Sequence, residues 1–170
     1  MNTTSSMDAS RMAIGDVGKI IRHRRTAIAV FCIYLICLVY LLFFAENMGR
    51  TIGTTYRYNY IPFKEIKRFL TNINSLGLRA VIVNVVGNVV VFMPFGYLVP
   101  RIAKRKMGIF YTTILGLEFS ACIELIQLVT RTGCCDIDDV ILNTLGTFLG
   151  CAVYCISCAA LKRKNNKHNI

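Results

Sequence analysis

Asp136-Ile137-Asp138-Asp139-Val140-Ile141-Leu142-Asn143-Thr144-Leu145-Gly146-Thr147-Phe148-Leu149-Gly150 opens an apolar run that continues to Leu161. Within it Asp136, Asp139, Asn143, Gly146 and Gly150 are spaced by three, four, three and four residues. On a helix that spacing is one stripe. The stripe is acidic at its start, amide in its middle and glycine at its far end. The remaining faces are apolar, which is the pattern of a membrane span. Polar groups inside such a span are costly and mark a functional site.

Three further apolar runs lie upstream, so the spans predicted are 26–45, 78–99, 107–129 and 139–161. The first has 20 residues, or about 30 Å as a helix, which matches a hydrocarbon core. Its apolar run is too long for a cleaved leader, and Phe43-Phe44-Ala45 is no small-residue cleavage site; an uncleaved anchor is expected. Composition agrees: 55% of the 170 residues are hydrophobic, 17% are charged, and the mean hydropathy is +0.53. The expected class is an all-α, polytopic membrane protein, a four-transmembrane-helix bundle in one domain, 26–161. Polar tails at 1–25 and 162–170 flank it. No alternating ten-residue segments suggest a barrel.

The net charge of +11 would suggest nucleic acid in a soluble protein. Here the basic residues flank apolar runs, and no recognition motif accompanies them, so no nucleic-acid partner is expected. They signal topology and contact with anionic membrane lipids. With both termini cytoplasmic, the inner segments hold five, four and four Lys or Arg, against six in the long loop (with Arg79) and one in the last loop. The short connections decide the orientation: four between Pro100 and Lys106, one between Thr130 and Asp138. Of the eight cysteines, Cys32, Cys37, Cys122, Cys151, Cys155 and Cys158 lie in apolar spans and read as small, buried, inert packing residues; Cys134-Cys135, in a short loop, could form a vicinal disulfide.

The long first outer loop, 46–77, carries Tyr56, Tyr58, Tyr60, Pro62 and Phe63 ahead of Lys64-Glu65-Ile66-Lys67-Arg68-Phe69-Leu70. Pro62 suits a first helical turn. Ile66, Phe69 and Leu70 would share a face, with Lys64, Lys67 and Arg68 around the rest. This predicts a short interfacial helix anchored by tyrosines.

The topology brings three polar stripes to one depth. Asn84, Gly87 and Asn88 fall in the outer half of the second span. Ser120, Glu124, Gln127 and Arg131 fall toward the outer end of the third, and Asp136, Asp139 and Asn143 at the start of the fourth. Asn84, Asn88, Glu124, Gln127, Arg131, Asp136, Asp139 and Asn143 are therefore the candidate ligand-binding residues. Gly87, Gly146 and Gly150 are the candidate packing positions, small enough to let helices approach closely. Asp136 and Asp138 also suit a helix N-cap and the dipole of the fourth helix. Glu118 faces a different side of the third span from Glu124, where it would snorkel, pair with another helix or sit protonated near mid-membrane.

The oxygen-rich set could hold a lipid headgroup or sugar, with Arg79 or Arg131 reaching a phosphate or carboxylate. A divalent cation at Glu124 and Asp139 is a further option, although no cofactor is required and no zinc set is present. Glu124 and Asp139 are also the candidate catalytic acid and base. No nucleophile motif or phosphate-cradling loop supports an enzyme.

These residues also resemble a known family. Asn84-Val85-Val86-Gly87-Asn88, with Phe92-Met93-Pro94-Phe95-Gly96, is similar to an N-x-x-G-N-x-x-x-F-x-P-F-G core. Glu124-Leu125-Ile126-Gln127 resembles E-x-x-Q. Asp136, Asp139, Asn143, Gly146 and Gly150 resemble D-x-x-D-x-x-x-N-x-x-G-x-x-x-G. Tyr60-Ile61-Pro62-Phe63 resembles N-x-I-P-F, with Tyr60 where Asn is common and Asn59 one position earlier, which leaves the loop register open. The family is the VanZ-like membrane proteins, named for a teicoplanin-resistance protein of Gram-positive bacteria. The match runs from about residue 60 to 150. It implies a small multi-pass protein of the bacterial cell membrane, related to antibiotic resistance at the cell envelope. Teicoplanin carries an acyl chain that anchors it in the outer leaflet, so a pocket there could engage a lipidated glycopeptide or a lipid-linked cell-wall precursor. An enzyme acting on a lipid or lipid-linked glycan, and a transporter of a small solute or ion, are the alternative readings.

Overall fold

Residues 24–41, 58–105, 107–130 and 134–168 are described by the computed structural model. The polar tail before residue 24, the tyrosine at position 56 and Arg131 lie outside the described residues. Helix α1 covers residues 24–41; the end of the predicted first span also lies outside them. The long loop enters as a two-residue strand β1, Tyr58–Asn59, followed by α2, Lys64–Thr71, and the single turn α3, Ile73–Leu76. The next helix starts as α4, Leu78–Val81, passes through a π turn, Ile82–Val86, and continues as α5, Gly87–Ile102. Then come α6, Ile109–Thr130, strand β2, Cys135–Asp136, and α7, Ile137–His168.

Three helices among the described residues are long and apolar enough to cross a membrane: Ile82–Ile102, Ile109–Thr130 and Ile137–Leu161. Only 22–28% of their most apolar windows is buried, so most of the apolar surface faces outward. A water-soluble core would hide that surface; a bilayer solvates it. The protein is a mostly helical, multi-pass membrane protein. Two details differ from expectation. Tyr58–Asn59 and Cys135–Asp136 pair as parallel strands, Tyr58 beside Cys135 and Asn59 beside Asp136, so the fold is not purely helical. Lys162, Arg163 and Lys164 do not stop the last helix, which runs on to His168. Lys and Arg are good helix formers, and their charge suits a helix C-terminus.

Helix packing places the site. Lipid tails are as apolar as leucine, so helices associate here by close fit and interhelical hydrogen bonds, not by escape from water. The α5–α7 contact is the most extensive. A side chain at Gly146 would strike the carbonyl of Val89, and one at Gly150 the carbonyl of Met93. Gly96 lies against the backbone of Thr147 and Cys151, and Gly116 of α6 against the Thr147 side chain. The matches 146 with 89 and 150 with 93 make α5 and α7 run parallel. Gly87 makes no such approach: a Cβ there would meet only the Ile82 carbonyl at 3.8 Å, an ordinary contact.

On the other side α1 packs antiparallel to α5. Arg24 Nε donates to the Ile102 carbonyl at 2.9 Å, and the Tyr34 hydroxyl to the Val91 carbonyl at 3.0 Å. Val91 lies one turn before Pro94, whose ring interrupts the helical ladder. Leu38, Phe92 and Ile123 form the buried apolar centre, where α1, α5 and α6 meet.

Candidate functional site

The pairing of β1 with β2 draws the first loop and the last loop to the same end of the bundle. Hydrogen bonds then fix them side by side. Asn59 Nδ2 donates to Asp136 Oδ1 at 2.9 Å, and Asn59 Oδ1 accepts the Ile61 N–H at 3.3 Å. Asn59 is therefore the asparagine of the loop element, which reads in register as Asn59-Tyr60-Ile61-Pro62-Phe63. Asp136 Oδ1 also accepts the N–H of Asp138 at 2.9 Å, which makes it the N-cap of α7.

Asp138 is 1% exposed and serves a different helix. Its Oδ1 accepts the Phe63 N–H at 2.5 Å, and its Oδ2 accepts those of Glu65 at 2.7 Å and Ile66 at 3.1 Å. Three otherwise orphaned donors at the start of α2 are satisfied by one carboxylate from the start of α7. Phe63 sits in the left-handed region, φ 62°, which costs a non-glycine residue about 1–2 kcal/mol; the Asp138 bond holds it there. Pro62 belongs to the turn before α2, not to its first helical turn. Ile66 and Phe69 are half-buried, whereas Leu70 is exposed, so the three do not share one covered face.

Behind this end, the polar stripes of the long helices bond to one another. Asn88 Nδ2 of α5 donates to Asp139 Oδ1 of α7 at 2.5 Å. Glu124, 4% exposed, accepts the Asp136 N–H on Oε2 at 2.9 Å and so pins the α6–α7 loop. Asn143 Nδ2 donates to Ser120 Oγ at 2.9 Å. Each buried carboxylate or amide named here bonds to protein, as a low-dielectric site requires.

A cavity of about 130 Å³ remains between α2, the π turn that precedes α5, the end of α6 and the start of α7. Four of the sequence-derived candidates line it: Asn84, Gln127, Asp136 and Asp139. Asn84 and Val85 both reach it from the π turn, a device common at functional sites. Asn88, Glu124 and Asn143 are not among the lining residues; they brace the wall. Asn59, Glu65, Arg68 and Asp138 line the cavity without having been singled out as ligand-binding residues. Arg68 bridges Glu65 at 3.0 Å and lies over the Phe69 ring at 5.1 Å. Arg79, the expected basic residue, is exposed and does not line the cavity, whereas Arg68 does. The signal that could have found Arg68 was its place on α2, two residues beyond Ile66, on the loop that carries the family-like element.

Cys134 lines the cavity, and neither it nor Cys135 is joined in a disulfide. Burial, and then the Glu124 and Asp136 carboxylates, push the Cys135 thiol up. A thiol so placed resists forming the thiolate that disulfide exchange needs. Among the described residues, no three His, Cys, Asp or Glu groups are arranged to hold a metal ion.

The fold and this polar end define a class: a small multi-pass helical membrane protein whose first and last loops are tied over a polar cavity. The VanZ/LLP1 family model matches residues 31–158, more than half of the chain. The chain belongs to the VanZ/LLP1 family. It is similar to Protein VanZ of Enterococcus faecium, with 29% identity over 140 residues that cover 79% of this chain and 77% of that protein. No solved structure matches it.

Proposed function

We propose that this chain is a four-span protein of the bacterial cell membrane with both termini cytoplasmic. Its polar cavity opens at the outer face and binds the headgroup of a membrane amphiphile, and this binding changes susceptibility to teicoplanin. The observation that carries the reading is the cavity itself, walled by polar side chains from four helices and braced by bonded carboxylates. Its volume, about 130 Å³, is well below the roughly 300 Å³ at which sites for drug-sized ligands begin. A headgroup fits; a whole glycopeptide does not. The relation to teicoplanin then runs through a lipid or lipid-linked precursor in the outer leaflet. The bonds that engage Glu124, Asp138 and Asp139 favour binding over acid–base chemistry. The excess of Lys and Arg in the short 100–106 turn supports the orientation.

Arg68→Ala tests the reading, because Arg68 is exposed enough for its loss to spare the fold. Lipids that co-purify with wild type and variant are compared, together with teicoplanin susceptibility at matched membrane abundance. Loss of a lipid class and a changed susceptibility support the cavity. Unchanged lipids and unchanged susceptibility refute it.

A further inference from the structure

Glu118 is used neither by the fold nor by the cavity. It is the tenth of the 22 residues of α6, the middle of a membrane-length helix. It is exposed, and it makes no hydrogen bond or ion pair among the described residues. A polar group so placed is expensive against lipid. Its neighbours form a pattern. Tyr111, Leu115, Glu118, Cys122, Leu125 and Val129 are spaced by four, three, four, three and four residues. That is a strict two-per-heptad seam, which keeps one line of a helix against a partner. Leu115 is half-buried and the others are exposed, Val129 at 77%. The opposite face of α6, with Thr112, Ser120 and Gln127, is the buried one.

We propose that this seam is a self-association face, on which α6 of a second copy docks in the same orientation, with the two Glu118 side chains meeting on the two-fold axis. A two-fold contact brings each residue near the axis opposite itself. A second copy carries its carboxyl group at the same depth without adjustment. Any other partner would need its own polar group at that depth. Two carboxyl groups can bond to each other by sharing a proton; two amides also can, and two leucines cannot. One polar pair in an otherwise apolar seam fixes register, as buried polar residues do in coiled coils.

Cys122, one turn along the seam, reports the contact. The full chain is expressed with Cys122 as its only cysteine, and its membranes are oxidised with copper phenanthroline. A disulfide-linked dimer is expected, and Glu118→Gln should keep it. Glu118→Leu should lower its yield about tenfold, the worth of a good interhelical hydrogen bond in a membrane. The same chain with Cys155 as its only cysteine, on the exposed face of α7, should not cross-link. Copy number per particle, counted by stepwise photobleaching of the otherwise unaltered protein in vesicles, should be two. Monomers by photobleaching, equal cross-linking at residues 122 and 155, or a Glu118→Leu yield equal to wild type would overturn the seam.

Discussion

Asp138 Oδ2 accepts the backbone N–H of Glu65 at 2.7 Å, so a residue that opens α7 caps a helix 73 positions earlier in the chain. Both carboxylate oxygens are needed, one for Phe63 and the other for Glu65 and Ile66. Asp138→Asn keeps the size but turns an amide N–H₂ toward donors. It should be nearly as harmful as Asp138→Ala, each costing on the order of 1–3 kcal/mol from partly buried donors left unpaired. Hydrogen exchange of α2 in detergent or nanodiscs measures it. Protection of residues 64–71 equal to wild type in both variants would remove Asp138 from this role.

Glu124→Gln should fold. A glutamine oxygen can still accept the Asp136 N–H, and removal of a buried charge relieves desolvation. Glu124→Ala leaves that buried N–H without its partner and should cost about 1–3 kcal/mol. Membrane abundance is expected to follow the order wild type, Gln, Ala. If the glutamine variant is as scarce as the alanine one, the charge itself holds the loop.

Glycine positions should divide sharply. Gly150→Leu and Gly146→Leu place side chains on the carbonyls of Met93 and Val89 and should force α5 and α7 apart. Overpacking of this kind costs about 1–3 kcal/mol, and more where backbone is struck. Gly87→Ala should be tolerated, since its Cβ has room. Thermal aggregation of the purified variants checks the contrast; a Gly87→Ala loss as large as that of Gly146→Leu would contradict the packing.

Cys135 should alkylate slowly at neutral pH. Its thiol is pushed up by burial and by Glu124 and Asp136, so the reactive thiolate is scarce until the solution is more alkaline than an ordinary cysteine requires. Raising the pH should increase the rate, with a midpoint above that of an exposed cysteine. In Glu124→Gln the midpoint should move down, because a repelling charge is gone. A maleimide pH–rate profile on a chain with Cys135 as its only cysteine gives the answer; no movement in the variant would show that Glu124 does not act on the thiol.

The outer-face reading has its own check. With a cysteine placed at Lys104 as the only one in the chain, a membrane-impermeant reagent should label broken cells and not intact ones. Labelling from outside intact cells would invert the bundle.

Much of the bundle was legible because a membrane leaves few options for backbone and for polar groups. The stripe from Asp139 to Gly150 read directly as a helix face, and Gly146 and Gly150 meet α5 where a small residue is required. Asn84, Gln127, Asp136 and Asp139 could be brought together from depth and spacing alone. What could not be read was pairing across long separations. Nothing local at Asn59 announces Asp136, and nothing near Lys64 shows that α2 begins on an Asp138 carboxylate. The π turn that carries Asn84 is likewise invisible to a 3.6-residue period. Arg68 was legible as part of an amphipathic helix, but its place on the cavity depends on how that helix is capped.

The Asp138 cap also sets an order of events during synthesis. The N–H groups of Phe63, Glu65 and Ile66 emerge from the ribosome 72 to 75 residues before the carboxylate that satisfies them. At about 5–20 residues per second, α2 waits on the order of 4 to 15 s for its cap. Through that interval its donors have only water or lipid headgroups to bond. This end of the bundle is closed only when the final helix begins, so a nascent chain stalled before Asp138 has α5 and α6 but neither α7 nor a finished cavity.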